Sequence, residues 1–320
     1  MPLVRELAFD LDDEITRISE GLKRALRKDL NRRGLVVGIS GGIDSSVSAA
    51  LAVRAIGAAR VYALLMPEQD SSSEGFERAR RLVEHLGLRH EIHDIADTLR
   101  AIGCYRQRDD AIRTVFPDYG EGWRNKITIH GGLAGQVNHF RLVVEDPAGR
   151  QEEKALPLDA YLTIVAATNF KQRIRKTLEY FHADRLNYAV IGTPNRLEYD
   201  QGFFVKNGDG SADVKPIAHL YKTQVYALGA HLGLPDDIVN AVPTTDTYSL
   251  EQGQDEFYFA LPYEQMDVAL WYRNNERSSD ELARTLNIDP ALARHIFDDI
   301  DAKRRTSRYL HAAPVLMAPV

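Results

Sequence analysis

The sequence predicts an α/β fold: a doubly wound parallel sheet flanked by helices, with a β-hairpin insertion around 125–158. Three observations predict it. Short, nearly all-apolar runs, LVVGIS (35–40), RVYALLMP (60–67) and NYAVIGT (187–193), have the composition of strands buried on both faces. Between such runs, apolar residues recur at three- and four-residue spacing, which is the helical period. Alternation of strand and helix at this pitch implies right-handed crossovers between parallel strands.

Each element has its own signal. Over 5–31, Leu7, Leu11, Ile15, Ile18, Leu22, Ala25 and Leu26 line one face of an amphipathic helix. That face can pack on the chain's own core or on another subunit. Gly34 breaks the pattern and the first strand follows. After Gly41 and Gly42 a second helix runs through Val47, Leu51 and Val53 to about Ile56. Strand 60–67 ends at Pro67, helix 73–86 follows, and RHEIHDI (89–95) reads as a third strand. From about 105 to 160 the rhythm fails. There NHFRLVVEDPAGRQEEKALPL reads as two strands around a Pro-Ala-Gly turn, either a surface excursion or a lid or oligomer contact. A long helix is expected from Asn169, a good cap, to His182, then the strand at 187–193. Later helices are expected near 219–232, 279–286 and 289–304. The whole, 1–320, is read as one Rossmann-like domain with an N-terminal helix (5–31), an insertion (about 105–160) and a C-terminal helical segment (about 263–320).

Composition narrows the function. Of 320 residues, 44% are hydrophobic and 27% charged, enough for a core. A formal net charge of −6 provides no basic field for nucleic acid as main partner. The charged N-terminus lacks a signal-type apolar core, and no apolar run reaches the length of a membrane span. A soluble cytoplasmic protein is therefore expected. The one cysteine, Cys104, allows neither an internal disulfide nor a multi-cysteine metal cage, and reads as a small buried hydrophobe.

The sharpest feature is Gly38-Ile39-Ser40-Gly41-Gly42-Ile43-Asp44-Ser45-Ser46, between a buried strand and a helix. Glycines let the backbone turn tightly and approach a ligand closely. The helix that follows presents unpaired N–H groups and the positive end of its dipole, an anion site. Ser40, Ser45 and Ser46 add hydroxyl donors, and Asp44 stands where a carboxylate could hold Mg²⁺ against phosphates. The pattern is neither GxxxxGK[ST] nor GxGxxG. SGGIDSS instead resembles the pyrophosphate loop of the ATP pyrophosphatase (adenine nucleotide α-hydrolase-like) superfamily, whose members split ATP between the α and β phosphates.

The stretch IGTPNRLEYDQGFFVKNGDGSADVKPIAHLYKT (191–223) resembles the NAD synthetase family, ammonia-dependent type, in its GT-x-N-R-x-E element, F-x-K-x-GDG turn and K-T-Q-V helix opening. The resemblance implies ATP, a co-substrate, held by the glycine loop, Thr193, Lys222 and Thr244. It implies Mg²⁺ shared by Asp44 and Glu198, and a dinucleotide acid held by Arg173, Lys206 and Asp213, with Lys303 a further candidate. Asp44, Lys222 and Asp209 are the implied catalytic residues. The implied reaction has two steps: the acid attacks the α-phosphorus of ATP, giving an acyl-adenylate and pyrophosphate, and ammonia then displaces AMP to form the amide. No protein nucleophile is needed. Only about 30 residues precede the loop and Cys104 lies beyond it, so free ammonia, or ammonia from a separate glutaminase, is the expected nitrogen source. A homodimer is implied.

The chain departs from that pattern in places. Leu65-Met66-Pro67 replaces an arginine before the proline, Tyr258-Phe259-Ala260 replaces an acidic-Leu-Gly stretch, and Ala302-Lys303-Arg304 lacks the family's histidine. These changes keep open an amide ligase acting on another carboxylate. A tRNA-thiolating enzyme would want paired cysteines and a basic surface. A non-catalytic nucleotide-binding protein would be expected to lose Asp44, Glu198 or Lys222, and all three are present.

Overall fold

The computed structural model describes residues 5–130, 139–243, 248–250 and 261–318. Along the chain the strands are β1 (Leu35–Gly38), β2 (Val61–Leu65), β3 (Arg89–Ile92), β4 (Arg124–His130), β5 (His139–Glu145), β6 (Gln151–Ala155) and β7 (Ala189–Val190). The helices are α1 (Leu11–Arg24), α2 (Ile43–Ile56), α3 (Ser73–His85), α4 (Ala96–Ala101), α5 (Cys104–Arg113) and α6 (Leu158–Leu186). Then come α7 (Arg196–Gln201), α8 (Lys222–His231), α9 (Asp236–Val239), α10 (Tyr263–Asn274), α11 (Ser279–Leu286) and α12 (Pro290–His311).

The main sheet has the order β3-β2-β1-β7 with every pairing parallel. The apolar runs account for its depth: Leu35, Val36 and Val37 of β1 and Ala63, Leu64 and Leu65 of β2 are completely buried. Successive strands move outward from β1 through β2 to β3, and the chain then returns to place β7 on the other side of β1. Connections therefore diverge at the carboxyl ends of β1 and β7, the switch point where open α/β sheets bind ligands. One core cluster joins α1, α2 and α8 to the sheet, and a separate one ties α10, α11 and α12 together.

The structure corrects several sequence expectations. Asn169 does not begin a helix. Pro157 precedes the first turn of α6, and with no breaker between 158 and 186 the helix runs 29 residues, so Asn169 sits in its interior. The first helix ends in a π-helical turn, Ala25–Asp29. The last predicted helix continues to His311. The predicted hairpin is present as β5 and β6, its turn closed by Asp146, whose carboxylate accepts from the N–H groups of Ala148 and Arg150 at 2.8 and 2.9 Å. A third strand, β4, joins it. Alternating Lys126, Thr128 and His130 had hidden that strand's apolar partners, and Ile127 packs fully buried against Leu142 and Val144. Strand 187–193 contracts to two paired residues plus a bridge from Ile191 to Val214. Cys104 is buried and its thiol donates to the Ala167 carbonyl at 3.2 Å; burial pushes the thiol up to about 11. Among the described residues no helix is long and apolar enough to cross a membrane.

Candidate active site

A cavity of about 900 Å³ opens at the carboxyl ends of β1 and β7. The glycine loop forms its floor. Gly41 has φ +83°, and a Cβ there would lie 2.1 Å from the Gly75 carbonyl oxygen, so the loop can pass α3 this closely only as glycine. Gly42 caps α2 in extended conformation. Ser45 and Ser46 both donate to the Gly42 carbonyl, at 3.1 and 2.8 Å, and Ser40 Oγ lies 3.2 Å from Ser45 Oγ. These bonds hold the first turn of a 14-residue helix open toward the cavity, an electropositive end suited to phosphate. Gly38, Ile39, Ser40, Gly42, Ile43, Asp44 and Ser45 line the cavity; Gly41 and Ser46 lie outside its lining.

Asp44, Glu198 and Lys222 come from three separate elements and meet here. The Lys222 ammonium, buried, is ion-paired with Asp44 Oδ2. Asn195 Nδ2 donates to Asp44 Oδ1 at 3.1 Å, while the Asn195 N–H donates to Glu198 Oε2 at 3.1 Å. Asn195 also accepts from the Glu198 N–H, so the capping box that starts α7 doubles as the clamp between two carboxylates. Burial, and next the charge of Asp44, push the Glu198 carboxyl up to about 8. Burial alone would push the Lys222 ammonium down, but Asp44 and Glu198 outweigh it and hold it well above its ordinary value. Lys222 is also the first residue of α8, whose amino end is secured by Asp267 of α10. Asp267, fully buried, accepts from the N–H groups of Lys222 and Thr223 at 3.2 and 2.7 Å and from the Thr223 hydroxyl at 2.8 Å. Burial pushes that carboxyl up to about 7 against those bonds.

The other sequence-predicted residues are more dispersed. Thr193, Asp209 and Lys303 line the cavity. Asp209 Oδ1 accepts from the Val205 N–H at 2.7 Å, and burial raises its carboxyl. Lys303 pairs with Asp299 at 2.7 Å, and burial lowers its ammonium. Arg173, Lys206 and Asp213 lie outside that lining. Arg173 is exposed and donates to the Lys206 carbonyl at 3.3 Å. Lys206 donates to the Tyr309 and Ala312 carbonyls at the end of α12, at 2.8 and 3.1 Å. Asp213 accepts from the Val190 N–H at 2.7 Å and the Tyr180 hydroxyl at 3.3 Å. Thr244 and the Tyr258-Phe259-Ala260 stretch fall outside the described residues.

Sequence reasoning missed a set of buried charges beside the cavity. Lys171 on α6 pairs with Glu68 at 3.0 Å and Asp70 at 2.7 Å, and Asp70 pairs with Arg108 of α5 at 2.5 Å. Together they pin the segment after β2 that carries Ser71 and Ser72 into the cavity wall. One turn further along α6, Lys176 and Glu179 form a second buried pair at 2.5 Å. In sequence these read as ordinary helix-surface charges at three-residue spacing. Only the burial of α6 on two sides marks them out.

Comparison with known proteins bears on family and fold. The NAD synthase family model matches residues 14–117 and 143–308. An NH₃-dependent NAD⁺ synthetase from Rhizobium meliloti is 57% identical over 98% of this chain and 94% of its own length. Another, from Mesorhizobium japonicum, is 52% identical over 98% of this chain and 99% of its own. Among solved structures, the NH₃-dependent NAD synthetase of Campylobacter jejuni shares the fold with a TM-score of 0.63 at 23% identity, covering 97% of this chain and 100% of that one.

Proposed function

This chain belongs to the NAD synthase family, and we propose that it amidates nicotinic acid adenine dinucleotide to NAD with ammonia, at the cost of ATP cleaved to AMP and pyrophosphate. The observation that carries the reading is the convergence of Asp44, Glu198 and Lys222 beside a glycine loop that opens a helix amino end. A carboxylate does not react with ammonia because oxide is a poor leaving group. Transfer of AMP to the carboxylate supplies a good one. The attacking acid oxygen bonds to the α-phosphorus of ATP, and the bond to the β-phosphate bridging oxygen breaks. Negative charge grows on the departing pyrophosphate, next to the α2 amino end and the Lys222 ammonium. Preorganised charge of this sort is a large catalytic term in phosphate chemistry. Ammonia then attacks the acyl carbon, and AMP departs with the electron pair of the C–O bond.

Asp44 and Glu198 suit a hard divalent cation. Both are oxygen donors, both face the cavity, and the Glu198 carboxyl is raised first by burial and then by the charge of Asp44, a repulsion that a bound cation would relieve. Mg²⁺ held there would neutralise phosphate charge. Arg173, Lys206 and Asp213 can reach the acid only where it extends beyond the cavity over their face of the chain. Leu158, Leu162 and Phe181 of α6 are more than half exposed, which supports a second copy covering that helix as a homodimer. The ammonia comes from solution or from a separate glutaminase. The reading fits a single-domain cytoplasmic enzyme.

The test is to incubate the protein with Mg-ATP, ammonium and nicotinic acid adenine dinucleotide while following NAD, AMP and pyrophosphate. Equal amounts of all three, abolished by Asp44→Ala, are expected. Bound ATP with neither NAD nor pyrophosphate would sink the reading.

A further inference from the structure

Ammonium is the dominant form of the nitrogen donor at neutral pH, and turning it into an amide releases two protons. One leaves before the nitrogen has a lone pair to attack with, the other after the C–N bond forms. A site that performs this step in an enclosed cavity needs places for both. Three carboxyl groups away from the Asp44–Glu198 pair line the cavity: Asp209, in the turn after α7, Glu179, on α6, and Asp299, on α12, which is taken up by Lys303 at 2.7 Å. Glu179 sits beneath the start of the glycine loop. A Cβ on Gly38 would lie 2.9 Å from its Oε1, and its other oxygen, Oε2, is held by Lys176 at 2.5 Å. Both members of that pair are only 6% exposed, and both line the cavity.

We propose that Glu179, oriented by Lys176, is a proton acceptor for the ammonia step, sharing the two released protons with Asp209. This inference rests on the amidation reading above. Ammonium gives a proton to the Glu179 carboxylate, leaving neutral ammonia. Its lone pair forms the C–N bond, the C–O bond to AMP breaks with its electron pair going to AMP, and the nitrogen sheds its second proton to Asp209. Atoms and charge balance without any other reactant. The charges facing Glu179 are Lys176 and Arg175 on its own helix and Asp209 from the opposite wall. Burial raises its proton affinity and Lys176 restrains that rise, a combination suited to accepting a proton and giving it up again. A buried ion pair by itself adds little net stability, because desolvation offsets most of its attraction. What sets this pair apart is its exposure to the reaction cavity rather than to the core.

The experiment separates the two half-reactions. ATP–pyrophosphate exchange with the dinucleotide acid alone reports adenylation, and NAD formation with added ammonium reports amidation. Glu179→Gln should keep exchange within about threefold of the wild type and lose amidation at pH 7 by about 100-fold. Hydroxylamine, already a neutral nucleophile at that pH, should bypass the defect and react at near wild-type rate. Lys176→Met, a second variant, should keep exchange and move the acidic limb of the amidation profile to higher pH, because Glu179 loses the cation that favours its ionised form. Exchange and amidation falling together in Glu179→Gln, or amidation unchanged at pH 7, would overturn the proposal. A Glu179→Gln defect that hydroxylamine does not relieve would overturn it as well, as would an unmoved profile in Lys176→Met. A wild type that exchanges pyrophosphate yet forms no NAD would instead overturn the amidation reading, and this inference with it.

Discussion

Lys222→Met tests whether the pair with Asp44 organises this site. The ammonium is 2% exposed and the Asp44 side chain 17%, so the pair is largely but not wholly out of water. Opposite unit charges at contact attract by about 4 kcal/mol at an effective dielectric of about 20. Desolvation of the ammonium offsets part of this, and the residual solvent at Asp44 screens some of the remainder. Methionine also leaves Asp44 and Glu198 facing each other uncompensated. A net loss of about 2–4 kcal/mol in unfolding free energy is expected. In a double-mutant cycle with Asp44→Asn, the coupling should be about 1.5–3 kcal/mol, so the double variant is more stable than the two single losses predict. Urea denaturation at pH 7.5 without divalent cations measures all four corners. Pyrophosphate release in Lys222→Met should drop by about 100- to 1000-fold. A coupling below about 0.5 kcal/mol would show that the two charges do not sense each other, and the account of the site would fail with it.

Further outcomes follow from the same geometry. The Glu198 carboxyl is raised from 4.5 to about 8, so the folded state keeps its proton longer than the unfolded chain does. Its contribution to stability is full below about 4.5 and is lost as pH rises through about 8. Without metal, the wild type should therefore lose more stability than Glu198→Gln between pH 5 and 8.5, read from urea midpoints; parallel profiles would refute this. Asp267→Ala should destabilise the chain by about 2–4 kcal/mol, because two helix N–H groups and a hydroxyl lose their acceptor in a dry site. Chemical denaturation should show that cost, and NAD formation should fall with it as Lys222 loses its anchor; a near-neutral result would contradict the capping role. Gly41→Ala, with φ +83° and a Cβ 2.1 Å from a carbonyl oxygen, should abolish ATP binding measured by calorimetry. Gly57→Ala has a similar φ of +82° but nothing within 4 Å, so its cost should be confined to backbone strain of about 1–3 kcal/mol and leave binding intact.

Much of the molecule was legible in the chain because local physics decides it. Apolar runs must be buried on both faces, so β1 and β2 could be placed from composition, and the glycine loop announced itself because only glycine turns that tightly beside α3. Asp44, Glu198 and Lys222 were legible for a different reason: each stands inside a spaced motif whose order identifies the family. Elsewhere the chain was ambiguous. Asn169 looks like a cap in isolation, and the sequence over 158–168 contains nothing to stop a helix, yet nothing local there demands one. Residues Lys126, Thr128 and His130 masked β4, since a strand with one polar face reads as loop until its neighbour is known.

Tertiary structure alone decided the charges that matter most. Lys176 and Glu179 at three-residue spacing are indistinguishable in sequence from Lys23 and Glu20, a surface pair with both side chains well exposed. Asp267 lies 45 residues from the helix it caps. Arg173, Lys206 and Asp213, grouped by motif, lie outside the cavity lining. Sequence determines which charges exist and which helices carry them. Whether a charge meets water, a partner or a reacting atom depends on packing between distant segments, and the energy of a charge changes most across that boundary.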